Sequence, residues 1–265
     1  MEREWTSDCQ QCMGLCCVAL PYMESADFPS DKPIGEPCVH LSTMNHCAIH
    51  DSLRTCGYKG CVTYECFGAG QYVSQTLYAK QSWRENPHLS KEMFAVFPVV
   101  QRVHEMIVYL NEAIAVAGDV LVEELLSLKQ ALMERTEQMP NAIMQIDIDR
   151  FHGQVGQLLN EVSVAYRKSF KQKPLATDLI GKKLKGASLR GASFRGKWLM
   201  AANLKGADLR EVDFLGADLR DAQLHGANMK DALFLTQSQV NGAVGNKETI
   251  LPSGLVKPNH WNEVG

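Results

Sequence analysis

The 265-residue sequence has little net charge, no long apolar run and no cysteine beyond position 66. Its formal net charge of −3 selects neither a nucleic acid nor a membrane surface as partner. No stretch approaches the roughly 18 apolar residues of a membrane span, and the N-terminus lacks the basic start and apolar run of a secretory signal. We therefore expect a cytoplasmic protein of two or three small domains with no membrane partner.

Motifs of common enzymes are also missing. The glycines between Phe67 and Gln71 predict a loop, but they fit neither the phosphate-binding loop nor the dinucleotide-binding fingerprint. Serine, histidine and aspartate occur without a nucleophile motif that would bring them together. The sequence favours a protein that is not an enzyme, and it indicates no catalytic residues.

Nine cysteines crowd into the first quarter of the chain, where their density predicts a metal or redox site. They are Cys9, Cys12, Cys16, Cys17, Cys38, Cys47, Cys56, Cys61 and Cys66. Cytosolic thiols stay reduced, and clustered thiolates favour zinc or iron over a disulfide framework. Nine thiols suffice for two four-cysteine sites with one left over, or for one iron-sulfur cluster with structural or redox cysteines besides.

Two further features concern which thiols would bind the same ion and whether other side chains could replace them. Neighbouring Cys16 and Cys17 point in different directions if the chain is extended there, which suggests that they serve different ions. Three histidines, His40, His46 and His50, are candidate nitrogen ligands in place of a thiolate.

The spacing Cys9-x2-Cys12-x3-Cys16-Cys17 resembles the zinc- or iron-chelating cysteine-cluster family named for its CxxCxxCC motif. Cys38-Val-His-Leu and the run from Cys47 to Cys56 are similar to two further motifs of that family. The family usually has two residues, not three, before the cysteine pair. It is grouped with flagellin lysine N-methylases, so the resemblance implies a metal-binding module and, as an alternative, a cluster-assisted enzyme that modifies proteins.

Three helices are predicted between Pro87 and Phe170. Apolar residues step by three and four from Val100 to Ala117, from Leu121 to Leu132 and from Ile148 to Ala165. Pro98 near the first start, Gly118 as a stop and Asp119 as an N-cap set the boundaries. We expect a helical bundle or hairpin whose apolar stripes form its core.

Twelve five-residue units occupy Thr177 to Thr236. The third position of each unit is large and apolar: Leu179, Leu184, Leu189, Phe194, Leu199, Leu204, Leu209, Phe214, Leu219, Leu224, Met229 and Phe234. Two residues earlier stands alanine in eight of the twelve units. A period of five fits neither a helix nor a strand, so the chain must turn a corner in every unit.

These units resemble the pentapeptide-repeat family, written A(D/N)LxG. The resemblance implies a right-handed quadrilateral β-helix in which four units make one coil and the tail after Gln237 caps the last coil. Members of this family protect DNA gyrase as mimics of duplex DNA. That role needs excess carboxylates, yet the repeat has ten Lys and Arg against seven Asp and Glu, a net charge of +3. The charge disfavours DNA mimicry.

The sequence thus predicts a multi-domain α + β protein: a cysteine-rich metal module at 1–70, a helical domain at 71–174, a pentapeptide-repeat solenoid at 175–239 and a capping tail at 240–265. Its predicted function is a zinc- or iron-binding protein that contacts another protein, or a second copy of itself, through the repeat faces. Nucleic acid is disfavoured as partner. The alternatives are an iron-sulfur or redox enzyme or sensor and, last, a topoisomerase-protecting DNA mimic.

Overall fold

The computed structural model describes residues 5–170 and 175–261, and its contacts divide the chain into two compact units, Met1–Leu159 and Asn160–Gly265. The helices are α1 (Leu15–Ala19), α2 (Lys59–Val62), α3 (Ala69–Gln71), α4 (Pro87–Val116), α5 (Asp119–Thr136), α6 (Pro140–Ile143), α7 (Ile148–Tyr166) and α8 (Gln237–Gly242). A π-helix spans Tyr72–Leu77, and short 3₁₀ turns lie at His50–Ser52 and Asn259–Trp261. The four-segment division stays a prediction, and its boundary at residue 174 lies outside the described residues.

The long helix α4 is the centre of the first unit. Its residues Met93, Val96, Phe97 and Val100 are fully buried and share one core with residues from α1, α3, the π-helix and α6. By length and composition this helix could also cross a membrane, but half of its most apolar stretch is buried inside the protein. Core helices of soluble proteins have the same composition, so the helix alone does not indicate a membrane span.

The three helices predicted from periodicity are present as α4, α5 and α7. Pro98, however, lies inside α4 and not near its start, because the helix begins eleven residues earlier at Pro87. The loop predicted from Phe67 to Gln71 is wrong in its second half, where Ala69–Gln71 forms α3 and continues into the π-helix. Gly68 has the left-handed backbone that favours glycine, with φ 76°, whereas Gly70 is helical and buried.

The predicted β-helix is wrong. Within residues 5–170 and 175–261 there is no β-strand and no sheet; the repeat forms only isolated parallel bridges, each a single residue pair. Asp178 pairs with Trp198, Asn203 with Gln223, and the other pairs in the repeat are likewise twenty residues apart. Because the chain turns in every unit, each run of extended residues is too short to form a strand.

Left-handed residues explain these turns. From Gly181 to Asp231 every fifth residue has a positive φ, near 60°, and seven of these eleven residues are glycine. In the first eleven units the backbone N–H three residues after the large apolar residue donates to the carbonyl of that residue, as Lys182 N does to Leu179 O at 3.0 Å. Only the third residue of each turn has a positive φ, as in a type II turn, and glycine is the least strained choice at that position.

Large apolar side chains of the repeat point inward. Ten of the twelve are buried, and Leu184 and Leu189 are partly buried against the same core. Phe194 and Phe214, one coil apart, contact each other edge to face with ring centroids at 5.5 Å. The small alanine side chains that alternate with the large residues leave space in the core for the phenylalanine rings and the leucines.

The structure describes the tail after the repeat as far as Trp261. It extends the series of bridges through Val244 and Ile250 and buries the indole of Trp261, whose Nε1 donates to Ala243 O at 3.0 Å. A side chain on Gly245 would collide with that indole, since its Cβ would lie 2.5 Å from the ring. The predicted cap beyond residue 261 lies outside the described residues.

Candidate metal centre

Residues 20–65 form a segment almost without an apolar core. Only Lys32 and Tyr58 are buried in it, and its regular structure is limited to α2, one 3₁₀ turn and the single bridges Tyr22–Lys32 and Leu41–Cys47. Four cysteines lie within this segment, and all nine cysteines of the chain are free thiols in the structure. Burial of apolar surface therefore contributes little to holding this part of the chain in place.

The N-terminal thiols lie against the start of the π-helix. Gln71 joins this region to the chain before Cys9, because its Nε2 donates to Thr6 O at 2.7 Å and its Oε1 accepts from Asp8 N at 3.1 Å. Ser74 Oγ accepts from Met13 N at 3.0 Å. These bonds hold Cys9 and Cys12 beside α3.

Gly70 makes room for two thiols. A Cβ at Gly70 would lie 2.7 Å from Cys12 Sγ and 3.6 Å from Cys66 Sγ, so both sulfurs border one point and a side chain there would displace Cys12. The sequence analysis predicted that Gly70 gives the backbone freedom to form a loop. In the structure its backbone is helical, and its missing side chain leaves space for the thiols.

The backbone around Cys66 curls toward its sulfur. Phe67 and Gly68 are both left-handed, with φ of 50° and 76°. Burial raises the pKa of the Cys66 thiol, while the backbone N–H groups of Gly68 and Gly70 act in the opposite direction. His104, fully buried in α4, holds this curl because its Nδ1 donates to Phe67 O at 2.9 Å. Backbone N–H groups close to the sulfur offset part of the cost of a thiolate there.

A second set of thiols lies around the Cys38 loop. Cys38 N donates to Cys17 O at 2.9 Å, which places this loop beside the end of α1. Tyr22 OH donates to Cys38 Sγ at 3.3 Å, and the bridge between Leu41 and Cys47 brings Cys47 back toward it. Cys16 and Cys17 lie in α1 and not in extended chain as supposed, and their sulfurs are 3.9 Å apart.

Lys32 is a buried cation that sequence reasoning missed. It is only 5% exposed, and its Nζ donates to the carbonyls of Val18, Pro33 and Glu36 at 3.0 to 3.3 Å. Burial lowers the pKa of Lys32, while the nearby Cys38, Cys17 and Cys16 act in the opposite direction. An ammonium among thiols is the counter-charge that thiolates in a poorly hydrated place need.

Most of these thiols hold their protons firmly. Desolvation, reinforced by neighbouring thiols, raises the pKa of Cys9 and of Cys61 to about 12, and desolvation raises the pKa of Cys12 to about 11. Cys17 is different: a hydrogen bond from the Cys16 thiol lowers its pKa, and Lys32 acts in the same direction. An ion that bound here would have to displace protons, so its affinity would depend on pH.

The donors have the right chemistry for zinc or iron but are not yet gathered around an ion. Among residues 5–170 and 175–261, no three His, Cys, Asp or Glu side chains lie close enough to hold one. Of the histidines considered as ligands, His40 packs edge-on against Tyr58 with centroids at 5.0 Å, while His46 and His50 are exposed. Binding would require the thiols to move closer together.

Comparisons with known proteins agree with the repeat assignment. The model of the family "Pentapeptide repeats" matches residues 199–234 with eight copies. The chain is also 47% identical, over 97% of its own length and 94% of the relative's, to a Bacillus subtilis (strain 168) protein described as the uncharacterized protein YybG. The likeness of the cysteine-rich segment to the metal-chelating family has no such match and stays a prediction. Residues 199–234 are therefore pentapeptide repeats, and the chain as a whole belongs to the same family as its Bacillus subtilis relative.

Proposed function

We propose that the cysteine-rich segment is a thiolate metal-binding module for zinc or iron, joined to a repeat region that contacts another protein. The observation that carries the metal-binding proposal is the segment from 20 to 65, which has a defined path but buries only Lys32 and Tyr58. Segments of this size with so small a core need disulfides, metal ions or a partner chain to stay folded.

Of these three means, thiolate ligation fits this chain best. The cysteines recur through the segment at Cys38, Cys47, Cys56 and Cys61, and reduced thiols persist in the cytosol where we expect the protein to be. Binding free energies of thiolate ions are large enough to stabilise a segment that lacks a core. The N–H groups around Cys66 and the ammonium of Lys32 would offset the negative charge of the ligands.

The test begins with the protein purified without oxygen, its metal content measured and its visible spectrum recorded. Zinc without colour would identify a structural site, while iron with acid-labile sulfide and a brown chromophore would identify an iron-sulfur cluster. Hydrogen exchange is then followed before and after chelation. We expect residues 20–65 to lose protection, while buried residues of α4 such as Phe97 keep theirs and serve as the internal control.

Two outcomes would contradict the proposal. One is a folded protein, isolated without oxygen, that contains no metal and takes up none when zinc or ferrous iron is added. The other is bound metal whose removal leaves hydrogen exchange in residues 20–65 unchanged, since the metal would then hold nothing together.

A further inference from the structure

We infer that one face of the repeat binds an acidic segment of another protein, held by four lysines that no carboxylate of the repeat neutralises. This lysine face consists of residues 182–186, 202–206 and 222–226, which single parallel bridges stack on one another. The inference rests on the proposed function, because it names the face and the kind of partner for the contact between the repeat and another protein.

The lysine face contains no acid. None of its fifteen residues is Asp or Glu, and it has four of the six lysines of the repeat, Lys182, Lys183, Lys185 and Lys205. At the second position of the unit each of the other three faces has at least one aspartate. The lysine face has Lys183, Asn203 and Gln223 at that position instead.

The arginines of the repeat, unlike these lysines, are all neutralised. Each has a carboxylate partner at 2.7 to 3.1 Å: Arg190 with Glu211, Arg195 with Asp213, Arg210 with Asp208 and Arg220 with Asp218. Within residues 5–170 and 175–261, no ammonium group of the four lysines makes an ion pair or a hydrogen bond. The uncompensated positive charge of the repeat is therefore concentrated on one face.

Stacking of the coils keeps these like charges close together. Gly186 N donates to Lys205 O at 2.8 Å, so Lys185 and Lys205 occupy the same position in successive coils, whose backbones are about 4.8 Å apart. His225, the next residue of that column, adds no charge near neutral pH, because burial and the nearby Lys205 lower its pKa. An anion bound between the two ammonium groups would relieve their repulsion.

An extended acidic segment fits the arrangement of the lysines. Lys183 and Lys185 are exposed on either side of Leu184, which packs against the core, so both point outward two residues apart. Alternate side chains of an extended peptide likewise lie on one side, about 6.6 Å apart, so two acids of such a segment can contact both lysines. Asn203 adds a neutral donor, because its Oδ1 accepts from Lys205 N at 3.2 Å and its Nδ2 is left to bind the segment.

Nucleic acid fits the same face less well. Asp178 and Asp218 lie on the preceding face and Asp208 on the following one, so a duplex that reached beyond the lysine face would bring its phosphates toward carboxylates. The lysine face also has no Phe, Tyr or Trp on which an unpaired base could stack. Glu248 reaches the last coil, where its Oε2 would lie 3.9 Å from a Cβ on Gly226, so the segment would bind along the first two coils.

Fluorescence anisotropy with a labelled peptide of ten glutamates tests the contact in the full-length protein. Wild type is compared with the face variant, Lys183→Gln/Lys185→Gln/Lys205→Gln, and with a control variant, Lys91→Gln/Lys168→Gln/Lys230→Gln. The control removes three exposed lysines elsewhere and has the same net charge as the face variant. We expect the face variant to bind at least about tenfold more weakly than wild type, because three contacts with carboxylates are lost at once. The control variant should stay within about twofold of wild type, and salt should weaken the binding of wild type.

Four results would overturn the inference. One is a wild type that does not bind the peptide at low salt, and another is an equal loss of affinity in the two variants, since only net charge would then matter. A third is a single strand of ten thymidines that binds more tightly than the peptide and loses its affinity in the face variant, because the occupant would then be a nucleic acid. The fourth is self-association that the face variant abolishes, which would make a second copy of the chain the occupant.

Acetylation of lysines in the wild-type protein gives a second measurement that requires no variant. With saturating peptide, Lys183, Lys185 and Lys205 should be acetylated more slowly, while Lys91 and Lys230 keep their rates. Equal protection of all five lysines, or protection of none, would contradict the inference. Metal content and hydrogen exchange in residues 20–65 do not depend on these lysines, so the metal-binding proposal and this inference can fail separately.

Discussion

Replacing Asp213 with alanine should destabilise the repeat far more than the same change at an equivalent exposed position. Asp213 is fully buried. Its Oδ2 accepts from Ser163 Oγ at 2.6 Å and from Arg195 Nε at 3.1 Å, and its Oδ1 accepts from Leu215 N at 2.9 Å. Arg167, also buried, donates to Ser163 Oγ at 3.0 Å and to Gly191 O at 3.1 Å. This carboxylate thus ties the end of α7 to the repeat within the second unit.

Alanine at 213 would remove the carboxylate that pairs with Arg195 and whose charge also acts on the buried Arg167. Breaking a buried ion pair by removing one partner costs about 3 to 5 kcal/mol. The side chain of Arg195 is 25% exposed, so water would stabilise part of its charge and we expect about 3 kcal/mol. Asp178 is the matched control, because its Oδ1 accepts from Ile180 N at 2.9 Å as Asp213 does from Leu215, but it is exposed. Asp178→Ala should cost below about 1 kcal/mol.

Hydrogen exchange read by mass spectrometry suits this comparison, since peptides from 199–234 report the opening of the repeat without contributions from the first unit. In both variants the free energy of opening is obtained from the slowest-exchanging amides in these peptides. If the two substitutions lower the free energy of opening equally, to within about 0.5 kcal/mol, the buried network adds no stability beyond the hydrogen bond that each aspartate accepts from the backbone N–H two residues later.

Four other changes probe the remaining parts of the molecule. Phe214→Asp would bury a charge without a partner and should lower the thermal unfolding temperature of the repeat; an unchanged transition would refute this. Gly70→Ala should reduce the metal content of the protein, because the added methyl group would press on Cys12 Sγ. The control Gly153→Ala places its methyl group in open space on α7 and should leave the metal content unchanged. Equal metal content in the two variants would refute this prediction. Trp261→Ala should cost about 3 to 5 kcal/mol of repeat stability by chemical denaturation, and a loss below about 1 kcal/mol would show that the tail is not a cap. The metal-free protein should become less stable to urea as pH rises from 9 to 12. Thiols of the unfolded chain ionise near pH 9.0, whereas Cys9 and Cys61 of the folded protein keep their protons until about 12, so rising pH favours the unfolded state. Constant stability over that range would contradict the raised pKa values.

The sequence predicted the repeat better than any other part of the molecule, but it predicted the positions of side chains and not the backbone structure. The five-residue period identifies which residues point inward, and Leu204, Phe214 and Leu224 are fully buried as predicted. It does not predict how long the backbone stays extended between turns. The residues with positive φ recur so often that each bridge is one pair long, so the expected strands do not form.

Around the cysteines the sequence identified the donors but not their surroundings. Spacing alone groups Cys9, Cys12, Cys16 and Cys17, and it does not show that Cys66 lies beside Cys12, because that contact depends on α3 and on the missing side chain of Gly70. Lys32 gave no signal either. A lysine among prolines and glycines is usually exposed, and its burial follows from three carbonyls that only the folded loop brings together.

α1 would connect two different sources of stability in the first unit. Leu15, Val18 and Ala19, spaced by three and four, are buried in the core around α4, and Cys16 packs against the same core. Cys17 lies beside the Cys38 loop, since its carbonyl accepts from Cys38 N at 2.9 Å. Apolar burial holds the core face of α1 whether or not metal is bound. Removing metal should therefore leave α1 protected from hydrogen exchange while the loop around Cys38 opens, and simultaneous loss of both would mean that the apolar core itself depends on the thiolate sites.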